Sequence, residues 1–378
     1  KTIYVIIAMT NLNVQIIYTQ INRNENNILS FTNYSYNLNP KNYFYPASTV
    51  KMPIALLALE KLHELNIPGV DKNTTMITDS NSSRQQIVYT QPLAKDSRPT
   101  IANYIKQIFL VSDNDAFNRL YEFLGQEYIL NKLKEKGYPD AVIRHRLNIF
   151  LTNEQNKTTN PIAFYDTAGN VLYRQPAQYN QKDFSSLNVK LGKGYYKGNE
   201  LIYEPFDFSN KNRVYLQDLH DILQSIVFSE QTDAKKRFNI SEEDYAFVIK
   251  WMSSYPHESK YPSYDSTYHD AFCKFLLYGA DKNNVLPNVR IFNKVGDAYG
   301  FLIDNAYVID KKNNVEFILC ATISCNTDGI YNDDKYDYEN IGYPFMKHLG
   351  QLIYQYELKR AKKHKALLNK FDIQYGDE

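Results

Sequence analysis

The segment Tyr45-Pro46-Ala47-Ser48-Thr49-Val50-Lys51 decides how this chain is read. Beyond it, Val50, Ile54, Leu57, Ala58, Leu62 and Leu65 recur at helical spacing. Pro53 falls in the first turn of that run, where a missing N–H breaks no intrahelical bond. Ser48 and Lys51 thus stand at a helix start. Their spacing puts both on one face, with roughly 5–6 Å between Cβ atoms, so a lysine amine can reach the serine hydroxyl. A helix start also supplies backbone N–H groups and a positive dipole end, which favour a developing oxyanion. For Lys51 to act as a base, its pKa must be lowered by burial and a neighbouring cation. The plainer alternative is that Ser48 caps the helix and Lys51 is solvated.

Two further elements carry chemistry. Ser112-Asp113-Asn114 lies in the break between a helix over Ile101–Leu110 and another from about Asp115 that stops at Gly125. A loop serine there can pass a proton to a leaving group, and a loop asparagine can hold a substrate amide; the tripeptide could equally just cap the second helix. Lys294-Val295-Gly296 ends a predicted strand. Its lysine can hold a carboxylate and depress neighbouring amines. Its glycine lets another backbone come close. Lys190-Leu191-Gly192 has the same form but is read without strand context.

The bulk composition narrows the class. The chain has 378 residues, 43% hydrophobic and 22% charged, as in ordinary globular proteins. A net charge of +1 gives no field-driven preference for nucleic acid or an anionic membrane. No apolar run approaches the ~18 residues of a membrane-spanning helix. The apolar stretch Ile3–Ala8 is too short for a signal sequence and reads as a strand. Cys320 and Cys325 are read on one strand, facing opposite ways, and form no disulfide framework. The histidines and cysteines lack metal-ligand spacing, so no metal is expected. The 33 tyrosines are read as ordinary amphipathic surface use rather than a sugar-stacking surface.

Strands are predicted over Val14–Gln20, Ile28–Tyr36, Arg290–Lys294, Gly300–Ile309 and Val315–Ser324, with a turn at Asp310–Asn314. Helices are predicted over Leu216–Phe228, Glu242–Met252 and about Phe345–Lys370. The basic run Lys359–Lys365 is taken as the exposed face of the last one. The stretch 140–215 shows poor periodicity and reads as a loop-rich insertion. Strands at both ends with helices between them imply an α+β chain with one sheet built from both termini.

Taken in order, Ser48-x-x-Lys51, Ser112-Asp113-Asn114 and Lys294-Val295-Gly296 resemble the motif set of class A β-lactamases and penicillin-binding proteins. The resemblance covers about 40–150 and 213–356. It implies a five-stranded antiparallel sheet with flanking helices and an all-helical lobe, within a single catalytic domain over 1–378. The sheet lobe would comprise about 1–45 and 285–378, and the helical lobe about 46–284. It implies Ser48 as nucleophile, Lys51 as base, Ser112 as proton relay, Lys294 as electrostatic support and Asn114 as a substrate-binding residue. Gly296 and Asp297 would border the substrate, with an oxyanion hole from the N–H groups of Ser48 and Asp297. The implied activity is serine acyl transfer on a β-lactam or a related peptide or ester, without cofactor, in the periplasm or outside the cell. The alternatives are a cell-wall D-alanyl peptidase or transpeptidase, or a penicillin-binding sensor without turnover.

Two departures from the family pattern stand out. Val295 replaces the usual Thr or Ser, whose hydroxyl helps bind the β-lactam carboxylate. No loop that would position the deacylating water, as the family's Glu-x-x-x-Asn loop does, is recognised between Asn114 and Arg213. Glu154 with Asn156 comes nearest, at the wrong spacing.

Overall fold

The computed structural model describes residues 12–81, 86–282 and 285–376. The strand read over Ile3–Ala8 lies outside them. The chain divides into two compact units.

The first unit comprises Lys1–Thr49, Ser185–Gln231 and Asp270–Ile373. Its centre is a five-stranded sheet of β1 (Gln15–Arg23), β2 (Leu29–Tyr36), β3 (Val289–Ala298), β4 (Phe301–Asp310) and β5 (Val315–Ser324), in the order β3-β4-β5-β1-β2. Every pairing is antiparallel, and Gln15 opposite Thr322 brings the two ends of the chain together. β4 reads Phe-Leu-Ile-Asp-Asn-Ala-Tyr-Val-Ile-Asp and is buried at every position. Such a strand must be covered on both faces. The helix Leu216–Val227 covers one face: Asn305 donates to the Leu219 carbonyl. The adjacent Ala306 points the other way, into an apolar cluster with Met346 and Tyr354 of the helix Tyr343–Lys359. Each large apolar side chain fully buried there contributes about 1.5–3 kcal/mol.

The sheet unit reaches further into the middle of the chain than the lobe boundaries read above. Residues 185–231 belong to it because the apolar face of Leu216–Val227 packs on β1, β4 and β5. The last helix is also shorter than expected, ending at Lys359 rather than near Lys370. Beyond it two residues of the basic run, Arg360 and Lys362, turn inward. Arg360 donates to Glu357, to Asn22 Oδ1 and to the Ile21 carbonyl. Lys362 donates to the Asn314 carbonyl. The helix ends within the run, so only Lys359 belongs to its exposed face, while Lys363, His364 and Lys365 are exposed beyond it.

The second unit comprises Val50–Phe184, Thr232–His269 and Gln374–Glu378. The helix Lys51–Leu65 runs through it, buried from Lys51 to Leu62. A helix apolar nearly all round belongs in a core. The helices Ile101–Val111, Asn114–Leu124 and Gln126–Glu135 pack against it. Lys61 and Glu60, both buried there, are hydrogen-bonded or paired. Lys61 donates to Gln175 Oε1 at 2.7 Å, and Glu60 pairs with Lys136 at 2.8 Å. The stretch read as loop-rich is more structured than its periodicity suggests. Ile162–Tyr165 and Val171–Gln175 form a three-stranded sheet with Thr75–Thr78. Strands of four or five residues are too short to show a period.

Candidate active site

The division between the units falls between Thr49 and Val50, so the site residues form two groups. In the second unit, Lys51 is fully buried. Its Nζ donates to Asn114 Oδ1 at 2.8 Å, to Ser112 Oγ at 3.3 Å and to the Ser112 carbonyl. The backbone builds this arrangement. Ser112 ends the helix Ile101–Val111 in a left-handed conformation, φ 60°, which turns its carbonyl and hydroxyl toward the lysine. Asp113 then caps the next helix by accepting from the Ala116 N–H at 2.8 Å. Within the tripeptide, capping falls to Asp113, while Ser112 and Asn114 hold Lys51.

In the first unit, Ser48 lies partly exposed in the 3₁₀ turn Ala47–Val50. The following helix is N-capped by Val50, without a side-chain bond, so Ser48 is not its cap. Thr49 locks the turn by donating through Oγ1 and N–H to the Pro46 carbonyl, at 2.6 and 3.0 Å. Ala47 carries φ 46°, a conformation that disfavours residues with a Cβ. β3 runs close beside this turn. A Cβ on Gly296 would stand 2.8 Å from the Pro46 oxygen and 2.9 Å from the Ser48 nitrogen. That approach requires glycine. Asp297, the next residue, is exposed.

Lys294 is buried and donates to the Val295 carbonyl at 2.8 Å. Burial pushes its pKa down to about 8, against the opposing pull of Cys273, Asp297 and Asp304. Behind β3 lies a polar cluster that sequence reasoning missed. Lys274 donates to Asn293 Oδ1 at 2.7 Å, and Asn293 donates to Asp304 at 2.8 Å. Burial lowers Lys274 to about 8 and raises Asp304 to about 6. Lone polar residues in apolar strands were its only signal. Val295 packs into the apolar cluster and is 2% exposed.

The comparisons with known proteins bear on this arrangement. The model of the beta-lactamase enzyme family matches residues 3–356. The chain belongs to the beta-lactamase enzyme family. Among solved structures, a beta-lactamase from Desulfarculus baarsii matches at 12% identity, covering 93% of this chain and 95% of that one, with TM-score 0.51. An ancestral class A beta-lactamase matches at 11% identity, covering 94% and 98%, with TM-score 0.49. No curated protein matches. Family membership supports a beta-lactamase-like serine hydrolase, and the mixed fold with its antiparallel sheet is the fold of that family.

The Glu-x-x-x-Asn spacing itself, overlooked in the sequence, occurs at Glu127 and Asn131 within the helix Gln126–Glu135, where Glu127 pairs with Lys182, and the pair read from the sequence is occupied otherwise. Glu154 is exposed, accepts from Tyr179 Oη at 2.7 Å and pairs with Lys157 at 3.1 Å. The bonds from Tyr179 and Lys157 hold its carboxyl below the usual range. Asn156 is buried and accepts from the Arg146 N–H at 3.0 Å. The second Lys-x-Gly has strand context after all: Lys190–Leu191 pairs with Phe206–Asp207. Among the described residues, no helix is long and apolar enough to cross a membrane.

Proposed function

We propose that the chain is a serine hydrolase acylated at Ser48, acting on a β-lactam or a related peptide or ester outside the cytoplasm. The observation that carries this reading is the fixed placement of Lys51 on Ser112 and Asn114, three positions along the chain from a partly exposed serine. Lys51, as the neutral amine, takes the Ser48 hydroxyl proton as Oγ attacks the substrate carbonyl. The N–H groups of Ser48 and Asp297 hold the oxyanion. Collapse breaks the carbonyl–nitrogen or carbonyl–oxygen bond, and the leaving group takes the proton through Ser112. Asn114 fixes Lys51 and can bind a substrate amide, while Lys294 adds positive potential. Water then attacks the ester on Ser48 and releases the acid.

A second reading rests on the engagement of Glu154 and Asn156 elsewhere. Without a dedicated carboxylate to activate water, the acyl-enzyme would persist. That would suit a cell-wall D-alanyl peptidase or transpeptidase, or a penicillin-binding sensor. Intact mass after exposure to a chromogenic cephalosporin tests both. A covalent adduct in the parent chain and none in Ser48→Ala is expected. An adduct that survives in Ser48→Ala places the nucleophile elsewhere. Steady release of product favours the hydrolase, and a stalled adduct favours the second reading.

A further inference from the structure

The insertion builds an aromatic wall beside β3. Phe206 and Phe208, from the insertion, pack with Tyr299 of the β3–β4 turn, at ring separations of 5.5 Å each. Tyr45, in the segment leading to Ser48, meets Tyr299 edge-on at 5.1 Å. The wall is thus continuous with both the nucleophile turn and the end of the third motif. The insertion is anchored by a parallel pairing of Gly194–Tyr195 with Ile330–Tyr331.

Lys211 sits on this wall. Its Nζ lies 5.2 Å from the Tyr299 ring centre and 5.7 Å from that of Phe206. It donates to Tyr299 Oη at 3.1 Å. Among the described residues Lys211 has no carboxylate partner, and the Tyr299 phenol proton has no acceptor. Lys211, Phe206 and Tyr299 are all partly exposed. Two donors that distance apart, with open valences, match the oxygens of one carboxylate.

Backbone strain points to the same place. Tyr299 and Gly300 form a two-residue turn with φ 53° and 77°. Such turns favour Asn-Gly or Gly-Gly. A tyrosine at the first position costs energy that an ordinary turn residue would spare. Meanwhile Val295 offers no hydroxyl to a substrate carboxylate, and its side chain is in the core.

We propose that Lys211 and Tyr299, over the ring of Phe206, form a carboxylate-binding subsite that selects acyl donors bearing an anionic group beside an apolar or aromatic one. The proposal rests on the serine-hydrolase reading for its role in turnover, but binding at the subsite can be measured without turnover. Calorimetric titration of the full chain with phenylacetate and with phenylacetamide is the first measurement. The parent chain is expected to prefer the carboxylate. Lys211→Met should cut that preference about tenfold or more, as loss of a charge-assisted bond does. Tyr299→Phe should cut it several-fold, and Lys211→Arg should largely keep it. Melting temperatures verify folding; should Lys211→Met not fold, the Tyr299→Phe comparison decides. No carboxylate preference in the parent chain, or an unchanged preference in the variants, overturns the subsite. A second measurement compares acylation by an anionic ester and its neutral amide-capped analogue, where the ratio should fall in step with binding. If the parent chain binds phenylacetate selectively yet Ser48 is never acylated, the hydrolase reading fails and the subsite stands.

Discussion

Gly296 and Ser48 are held so close that a Cβ on the glycine would stand 2.9 Å from the serine nitrogen. The third motif thereby sets the position of the backbone that would bind the oxyanion. Gly296→Ala must push β3 or the nucleophile turn aside, because backbone atoms are what the new methyl meets. Misplacing a reacting group by about 1 Å can cost on the order of 10²-fold in rate. Acylation by a chromogenic cephalosporin is expected to fall by about that factor, with the far-UV circular dichroism retained. An alanine variant that acylates like the parent would show that this approach does not govern the oxyanion site.

Asn114 gives a second expectation. Lys51 is fully buried and donates to Asn114 Oδ1 at 2.8 Å. Asn114→Leu removes that acceptor from a buried amine, at a cost of about 1–3 kcal/mol in stability. Acylation should fall as well, since Lys51 loses a fixed orientation. Asn114→Asp restores an acceptor and should recover stability more than the leucine variant. Denaturant midpoints together with acylation rates check both, and equal stability of the leucine variant and the parent would remove Asn114 from the role of anchor.

Lys294 should make activity and stability depend on pH in opposite directions. Its pKa is lowered by burial from 10.5 to about 8. As pH rises through about 8 the ammonium is lost, and acylation that uses its potential should decline. The unfolded chain keeps this proton up to about 10.5, so between those values it binds more protons than the folded chain. Stability contributed by this group therefore increases across the same window. Lys274 adds to that trend, since burial lowers it to about 8 as well. Lys294→Arg stays cationic and should move the loss of activity to higher pH. A pH–rate profile flat to pH 10 in the parent chain would show that the Lys294 charge is not used.

The sequence discloses the sheet and the site unevenly, for physical reasons. β4 and β5 are legible because ten-residue strands joined by a short turn leave long apolar runs. The helix at Lys51 is legible because its apolar spacing is regular and Pro53 marks its first turn. The Ser112 and Asn114 contacts to Lys51 follow from the motif only through family resemblance, since nothing local predicts a left-handed serine. The aromatic wall is illegible because its strands are two to four residues long and its partners are far apart in sequence. The basic run is exposed at Lys359, Lys363, His364 and Lys365 as a cluster of like charges usually is, but the helix ends before most of it. Here Arg360 and Lys362 are drawn in by Glu357.

Deacylation is where this chain should differ most from an efficient β-lactamase. On the proposed mechanism, acylation needs Ser48, Lys51 and the oxyanion donors. Hydrolysis of the resulting ester needs a water held by a base. Glu127, which has the family's spacing to Asn131, lies on a helix and pairs with Lys182, and Glu154 is exposed and already bonded to Tyr179 and Lys157. Its partner Asn156 is committed to the Arg146 backbone. Stopped-flow mixing with a chromogenic cephalosporin should therefore give a burst near one equivalent per chain, followed by slow release. Glu154→Gln should leave both phases unchanged. Val295→Thr should not speed acylation either, because its hydroxyl would enter the apolar cluster where Val295 is 2% exposed. That variant should instead lose about 1–3 kcal/mol of stability to an unsatisfied buried hydroxyl. Rapid turnover without a burst would mean that another residue activates water. A slower release phase in Glu154→Gln would name Glu154 as that residue, after rearrangement away from Tyr179.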